Sequence, residues 1–171
     1  MQNAANKPDL AEVLAANPGA VVETVAKEHG VTTREVLEAL PAEMRRFATG
    51  ENIFVEAMKD VATWGDLTLI VHTDDGIWEF SGAVPPGDLG HGYFNLMGRT
   101  GLHGHLRHER CAGLCFLERP FMGKSSASVL FLNVDGGIMH KVFVGRDEKR
   151  ELKADQMAKF HALAERFGAK A

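Results

Sequence analysis

Cysteine is scarce in this chain: among 171 residues only Cys111 and Cys115 carry a thiol. Four residues apart on an expected strand, their Cα atoms would stand roughly 13 Å apart, beyond the reach of a disulfide. The pair therefore reads as two reduced thiols of a reducing compartment. Long apolar runs are also missing, and nothing approaches the ~20 residues needed to cross a bilayer. The opening Met-Gln-Asn-Ala-Ala-Asn-Lys-Pro-Asp has no apolar leader segment, so a cytoplasmic protein without membrane insertion is expected. A basic excess is lacking too. Nineteen Lys and Arg against 23 Asp and Glu leave a net charge of −4, opposite in sign to most nucleic-acid-binding domains. Internal repeats, low-complexity segments and long linkers are absent. What remains is an ordinary globular composition, 45% hydrophobic and 25% charged, in a length suited to one compact domain with a small helical appendage. Eight histidines are the most unusual count, and histidine serves as metal or haem ligand, acid–base group and pH switch.

Three short helices are predicted to open the chain. The first covers residues 8–16, with Leu10, Val13 and Leu14 on one face. Asn17-Pro18 reads as an N-cap and first helical proline for a second helix, which runs to His29 and stops at Gly30. Thr32-Thr33-Arg34-Glu35 is a capping box that starts a third, and Pro41 ends it. A fourth helical stretch is expected over residues 51–62. From Gly65 the period becomes alternating. Residues 67–73 and 77–84 flank Asp74-Asp75-Gly76 as a hairpin, and Pro85-Pro86-Gly87 breaks it. Residues 93–97, 103–107 and 112–118 read as further strands. Residues 127–134 and 138–144 flank Asp135-Gly136-Gly137 as a second hairpin. A closing helix over 154–167 carries Met157, Phe160, Ala164 and Phe167 as its stripe, with Gly168 as its cap. Helices, then an antiparallel sheet, then a helix define an α+β fold. A sheet of this length has to curl, pair with another sheet or dimerise to hide its faces and edges.

Four patterns invite a chemical reading. Ala26, Gly30 and Val36, with Val25 and Val31 as core positions, have helix-turn-helix spacing. The would-be recognition helix shows Glu35 and Glu38 to the phosphates, however, and a helical hairpin capping a sheet explains the pattern better. Gly123-Lys124-Ser125 resembles the end of a P-loop, but Glu118 stands where the first glycine belongs and a strand follows instead of a helix. Leu102 to His108 holds His103 and His105 on one face of a strand, roughly 7 Å apart. Such a pair suits a first-row metal. No third ligand is near in sequence, and surface histidines account for the cluster more readily. Gly104 leaves room for a flat molecule to approach the backbone. His72 comes near the end of the apolar run that includes Ile70-Val71, where a lone histidine is more often a hydrogen-bonded structural residue than a ligand, and the residues alone do not connect it with His105. No nucleophile set is present, so no catalytic residue is assigned.

Across nearly the whole chain, short segments match the cytosolic haem-utilisation carriers of the HutX or ChuX type in order and spacing. They are Glu-Phe-Ser-Gly (79–82), His-Gly-Tyr-Phe-Asn-Leu (91–96), Gly-His-Leu (104–106), Phe-Met-Gly (121–123), Ala-Ser-Val-Leu-Phe (127–131) and Val-Gly-Arg-Asp (144–147). Trp-Gly (64–65), Val-His-Thr (71–73) and the leader Asn-Pro-Gly-Ala-Val-Val-Glu fit as well. The sequence thus resembles that family, whose members are similar to half of the larger HemS or ChuS haem-handling proteins. The resemblance implies a HemS/ChuX-like fold with a large curved antiparallel sheet. It implies one haem-carrier domain over 1–171, with a helical leader (1–62), the sheet (65–146) and a C-terminal helix (154–168). It also implies a homodimer, haem as bound cargo, and transfer to a haem-degrading or other acceptor protein. The family's two haem histidines correspond to His72 and His105. His103 departs from the pattern and competes with His105 as ligand. Phe80, Phe94, Met97 and Phe143 are candidates for the apolar wall. Arg99, Arg107, Lys124 and Lys141 are candidates for the two propionates. A haem-degrading enzyme and, more weakly, a DNA-binding regulator stand as alternatives.

Overall fold

The computed structural model describes residues 9–99 and 101–171. The expected helix start at residue 8 and the polar stretch before it lie outside the described residues. Helix α1 (Leu10–Ala16) is capped by Asp9, whose carboxylate accepts from the Ala11 amide. Helix α2 (Val22–His29) ends at Gly30 with φ +69°, a left-handed closure that glycine adopts without strain. Helix α3 (Thr33–Ala39) has the expected capping box, with Thr32 and Glu35 bonded reciprocally. The backbone amide of Thr32 and its hydroxyl hold the Glu35 carboxyl below its ordinary pKa.

Strands β1 (Arg45–Ala48), β2 (Asp66–Thr73), β3 (Gly76–Ala83), β7 (Cys111–Phe121), β8 (Lys124–Asn133) and β9 (Ile138–Phe143) form one antiparallel sheet, ordered β1-β7-β8-β9-β2-β3. A second, three-stranded sheet holds β4 (Gly87–Gly90), β5 (Tyr93–Leu96) and β6 (Gly104–Leu106). Helix α4 (Ile53–Val61) links β1 to β2, and helix α5 (Ala154–Arg166) closes the chain. The fold is α+β, as expected.

Alternation along the strands sends neighbouring side chains to opposite faces. Leu114, Phe116, Val129, Phe131 and Val142 meet α4 and α5 in one core. Cys115, Leu117, Leu130 and Leu132 meet α1–α3 in the other. The three N-terminal helices are therefore a layer on the sheet, and α3 is fixed to the β8–β9 turn through Arg34 N–H and Thr33 Oγ1, both donating to the Gly136 carbonyl. Arg34 also pairs with Glu38 and lies 5.3 Å from the Phe47 ring centroid. The helix-turn-helix look is thus packing, and the one arginine of its second helix is engaged within the protein.

Three expectations change. Asn17 closes α1 instead of opening α2, which begins at Val22. The reason is tertiary: the turn over 17–20 is held by Arg119, which donates to the carbonyls of Pro18 (2.9 Å) and Ala20 (2.7 Å). Gly19 approaches the sheet so closely that a Cβ would stand 2.9 Å from the Pro120 carbonyl oxygen. Strands β1 and β4 carry no β-forming signal in Arg-Arg-Phe-Ala or Gly-Asp-Leu-Gly and exist through their partners, β7 and β5. The Phe121–Lys124 hairpin extends β7 and β8 well past residues 118 and 127, because Pro120 and Ser125 face each other near its tip. Gly123-Lys124-Ser125 lies in this turn and the following strand, which removes the P-loop reading.

Candidate ligand-binding groove

Beyond the edge of the helical layer, the same sheet face is bare. Ile70 and His72 of β2, Ile77 and Glu79 of β3, and Lys141 and Phe143 of β9 line a mostly apolar cavity of about 250 Å³ with Arg119, Phe121 and Met122. It adjoins a larger hollow of about 630 Å³, and the two share Ile70, Glu79, Phe121, Met122 and Phe143. The result is a groove lined by rings and aliphatic groups, with His72, Lys141 and Arg119 on the first hollow, Lys124 and Arg146 on the second, and Glu79 on both. Met122, 87% exposed and with φ +50°, overhangs it from the β7–β8 turn.

His72 is half-buried, and its Nδ1 faces the carboxylate of Glu23 at 3.3 Å. The other oxygen of that carboxylate pairs with the ammonium of Lys141. Lys141 lies deep in the wall. Burial pushes its pKa down, and the neighbouring Glu23 carboxylate opposes that shift. Arg119 is also buried, and desolvation lowers its pKa from an ordinary guanidinium value.

The sequence-derived site residues divide between two regions. His72, Lys141 and Phe143 meet in the groove. His105 lies on β6, in the small sheet, and does not line that cavity. Its Nδ1 stands 2.6 Å from Asn95 Oδ1. Asn95 Nδ2 donates to the Gly90 carbonyl at 3.0 Å, which turns the amide oxygen toward the ring. That oxygen can only accept, so Nδ1 carries the proton and Nε2 keeps its lone pair for a metal. Tyr93 meets the His105 ring edge-on, and the Arg107 guanidinium lies 5.7 Å from the Tyr93 centroid. His103 is exposed, with Nδ1 3.2 Å from the Gly101 carbonyl oxygen. Arg99 is exposed beyond β5. Phe94 is fully buried and packs edge-on against Phe54 in the α4 core, and Phe80 and Met97 do not line the groove.

Sequence reasoning missed Glu23 and Arg119. An acid in the first turn of an amphipathic helix looks like a solvated residue. Arg119 did leave a signal: it falls in phase with Cys115 and Leu117, which face the helical layer. Both thiols are free, as expected, and burial raises both, Cys115 to about 12.

An α+β layer of helices on an antiparallel sheet, with a histidine-lined groove on the uncovered part of one face, describes a small-molecule-binding protein. The profile of haem utilisation ChuX/HutX proteins matches residues 48–163. Over 155 residues the chain is 35% identical to the intracellular heme transport protein HutX of Vibrio cholerae serotype O1, a match spanning 90% of this chain and 80% of that one. The heme binding protein ChuX superposes with a TM-score of 0.81 at 41% identity, covering 93% of this chain and 99% of its own. The chain belongs to the haem utilisation ChuX/HutX family. The heme degrading enzyme ChuS of Escherichia coli O157:H7 shares the fold at 16% identity and a TM-score of 0.71, with 89% of this chain matching 47% of that enzyme.

Proposed function

We propose that this protein is an intracellular haem-binding and transfer protein of the cytoplasm, working as one haem-carrier domain and as a homodimer. It holds haem as cargo and passes it on to a haem-degrading or other acceptor protein without covalent chemistry of its own. The observation that carries this reading is the groove that holds His72. Its two hollows together match the hundreds of cubic ångströms that a large cofactor needs, and its floor is apolar with few polar groups. An imidazole on the first hollow suits haem iron. Lys124, on the second hollow, suits a propionate, whereas Arg146 already donates to the Ser125 and Arg150 carbonyls and Lys141 is paired with Glu23. Arg99 and Arg107, on the small-sheet side, would serve a ring seated at His105.

His72, in the groove, and His105, which presents Nε2 from the small sheet outside it, are the two candidate iron ligands in this reading. No covalently bound nucleophile or buried acid–base pair is required for such a carrier, and open ligation favours release over retention. The test is titration of ferric haem followed by Soret absorption in wild type, His72→Ala, His105→Ala and His103→Ala. Loss or a clear spectral change is expected for His105→Ala, a smaller effect for His72→Ala and little for His103→Ala. Wild-type spectra and affinity in both His72→Ala and His105→Ala would refute the ligand assignment. Absence of saturable binding by wild type would refute the function. Adding reductant and oxygen to the haem complex separates the carrier from a degrading enzyme: a carrier leaves the macrocycle intact.

A further inference from the structure

We propose that Glu23, on the helical layer, is a positioning residue that prepares His72 for haem iron. This inference rests on the reading that His72 ligates haem. Glu23 stands in the first turn of α2, outside the stretch that the family profile matches. Its side chain is mostly buried against the sheet. Both carboxylate oxygens are shielded from solvent without a well-aligned hydrogen bond. One faces His72 Nδ1 at 3.3 Å and the other faces the Lys141 ammonium. A buried carboxylate is costly unless a cation or donor answers it, and the two groups that answer this one are His72 and Lys141. Arg119 adds a second positive charge near Glu23, after Lys141, and raises no competing demand on His72, since its guanidinium donates to Pro18 and Ala20.

The arrangement has a chemical consequence. A carboxylate accepts and cannot donate, so it selects the tautomer of His72 with the proton on Nδ1 and leaves the Nε2 lone pair for metal. It also stiffens the ring and makes the imidazole a stronger donor, as carboxylate–histidine pairs do at metal sites generally. A stronger donor favours ferric over ferrous iron, so the haem reduction potential falls. Lys141 holds the carboxylate in place and withdraws part of its charge, which keeps the ring short of full imidazolate character. Haem capture on the sheet is thereby tied to docking of the helix that covers the sheet.

The experiment compares wild type, Glu23→Gln, His72→Ala and the double variant, with apo-protein melting as the folding control and Glu23→Asp in reserve should the glutamine variant unfold. In the apo-protein, nitrogen NMR of a neutral His72 ring should show the Nδ1–H tautomer in wild type and a loosened preference in Glu23→Gln. On haem addition, Glu23→Gln should weaken ferric haem binding on the order of 10-fold and raise the reduction potential. In the His72→Ala background the same substitution should change neither quantity, because it acts through the ring. If His72→Ala leaves binding intact, the haem reading of His72 fails and this inference falls with it. If His72→Ala weakens binding while Glu23→Gln leaves tautomer, affinity and potential unchanged, Glu23 has no positioning role and the haem reading stands.

Discussion

His140 lies fully buried on β9, its ring stacked 4.2 Å from that of Phe131 and edge-on to Phe54. Its Nε2 has no hydrogen-bond partner among the described residues, so nothing offsets the cost of charging it, and desolvation lowers its pKa to about 4. An unfolded histidine takes up its proton near pH 6.5. Between about 6.5 and 4 the unfolded chain therefore binds more protons than the folded one. The stabilisation is complete above pH 6.5 and is lost as pH falls toward 4, amounting to about 3 kcal/mol at most at about 1.4 kcal/mol per unit. Urea midpoints measured at pH 7 and 4.5 should drop clearly for wild type and distinctly less for His140→Phe, which keeps the stack and removes the titration. Parallel profiles would show that other groups govern acid stability. At this scale the sequence exposed His72 and His105 as residues of interest. It did not expose Glu23, because its partners lie 49 and 118 residues away in the numbering and meet it only through the tertiary register.

Arg119 pins an element, not a ligand. It bridges β7 to the α1–α2 turn through two backbone carbonyls, with its guanidinium 5.5 Å from the Phe121 ring centroid. Arg119→Met removes the donor from both carbonyls, which are only part-buried, so the loss is expected toward the low end of the roughly 1–3 kcal/mol that a fully buried unsatisfied acceptor costs. The expected outcome is faster limited proteolysis between residues 17 and 21 and a lowered melting temperature, with the sheet still unfolding cooperatively. Unchanged cleavage there would mean that apolar contacts alone seat the helical layer. The same residue explains what the sequence concealed about the elements. Capping boxes, glycine stops and alternating runs are local, and they marked α3, α5, the β2–β3 hairpin and the β8–β9 hairpin closely. The true start of α2 depends on a side chain roughly a hundred positions downstream, and β1 and β4 depend on neighbours for their pairing. Local propensity carries no trace of either.

For the whole molecule, the open question of edges becomes specific. β3 is one of the two edge strands of the six-stranded sheet, β1 being the other, and Ile77 and Trp78 on β3 are 58% and 73% exposed. An apolar outer strand invites a second copy. Light scattering at micromolar concentration should give about twice the 18.7 kDa chain mass, and Trp78→Lys should shift the population toward single chains. A single-chain mass for wild type would exclude the homodimer. The need to hide faces and edges could be read from the alternating runs, which promised a long antiparallel sheet. Which strands form the edges could not, since sheet order follows from pairings between β2 and β9 and between β1 and β7 that skip along the chain.

The chain has two tryptophans in all, and the fold treats them oppositely. Trp64 is 2% exposed with its indole N–H donating to Asp60 at 2.8 Å, whereas Trp78 faces solvent on the outer strand. The ultraviolet emission of the folded protein is therefore the sum of two lamps. One is shielded from dissolved quenchers and dims or shifts when the core opens. The other stands in the open, where collision, a covering surface or a nearby absorbing pigment changes its brightness while the core stays closed. The protein carries separate optical reporters of its interior and of its rim, with no label added.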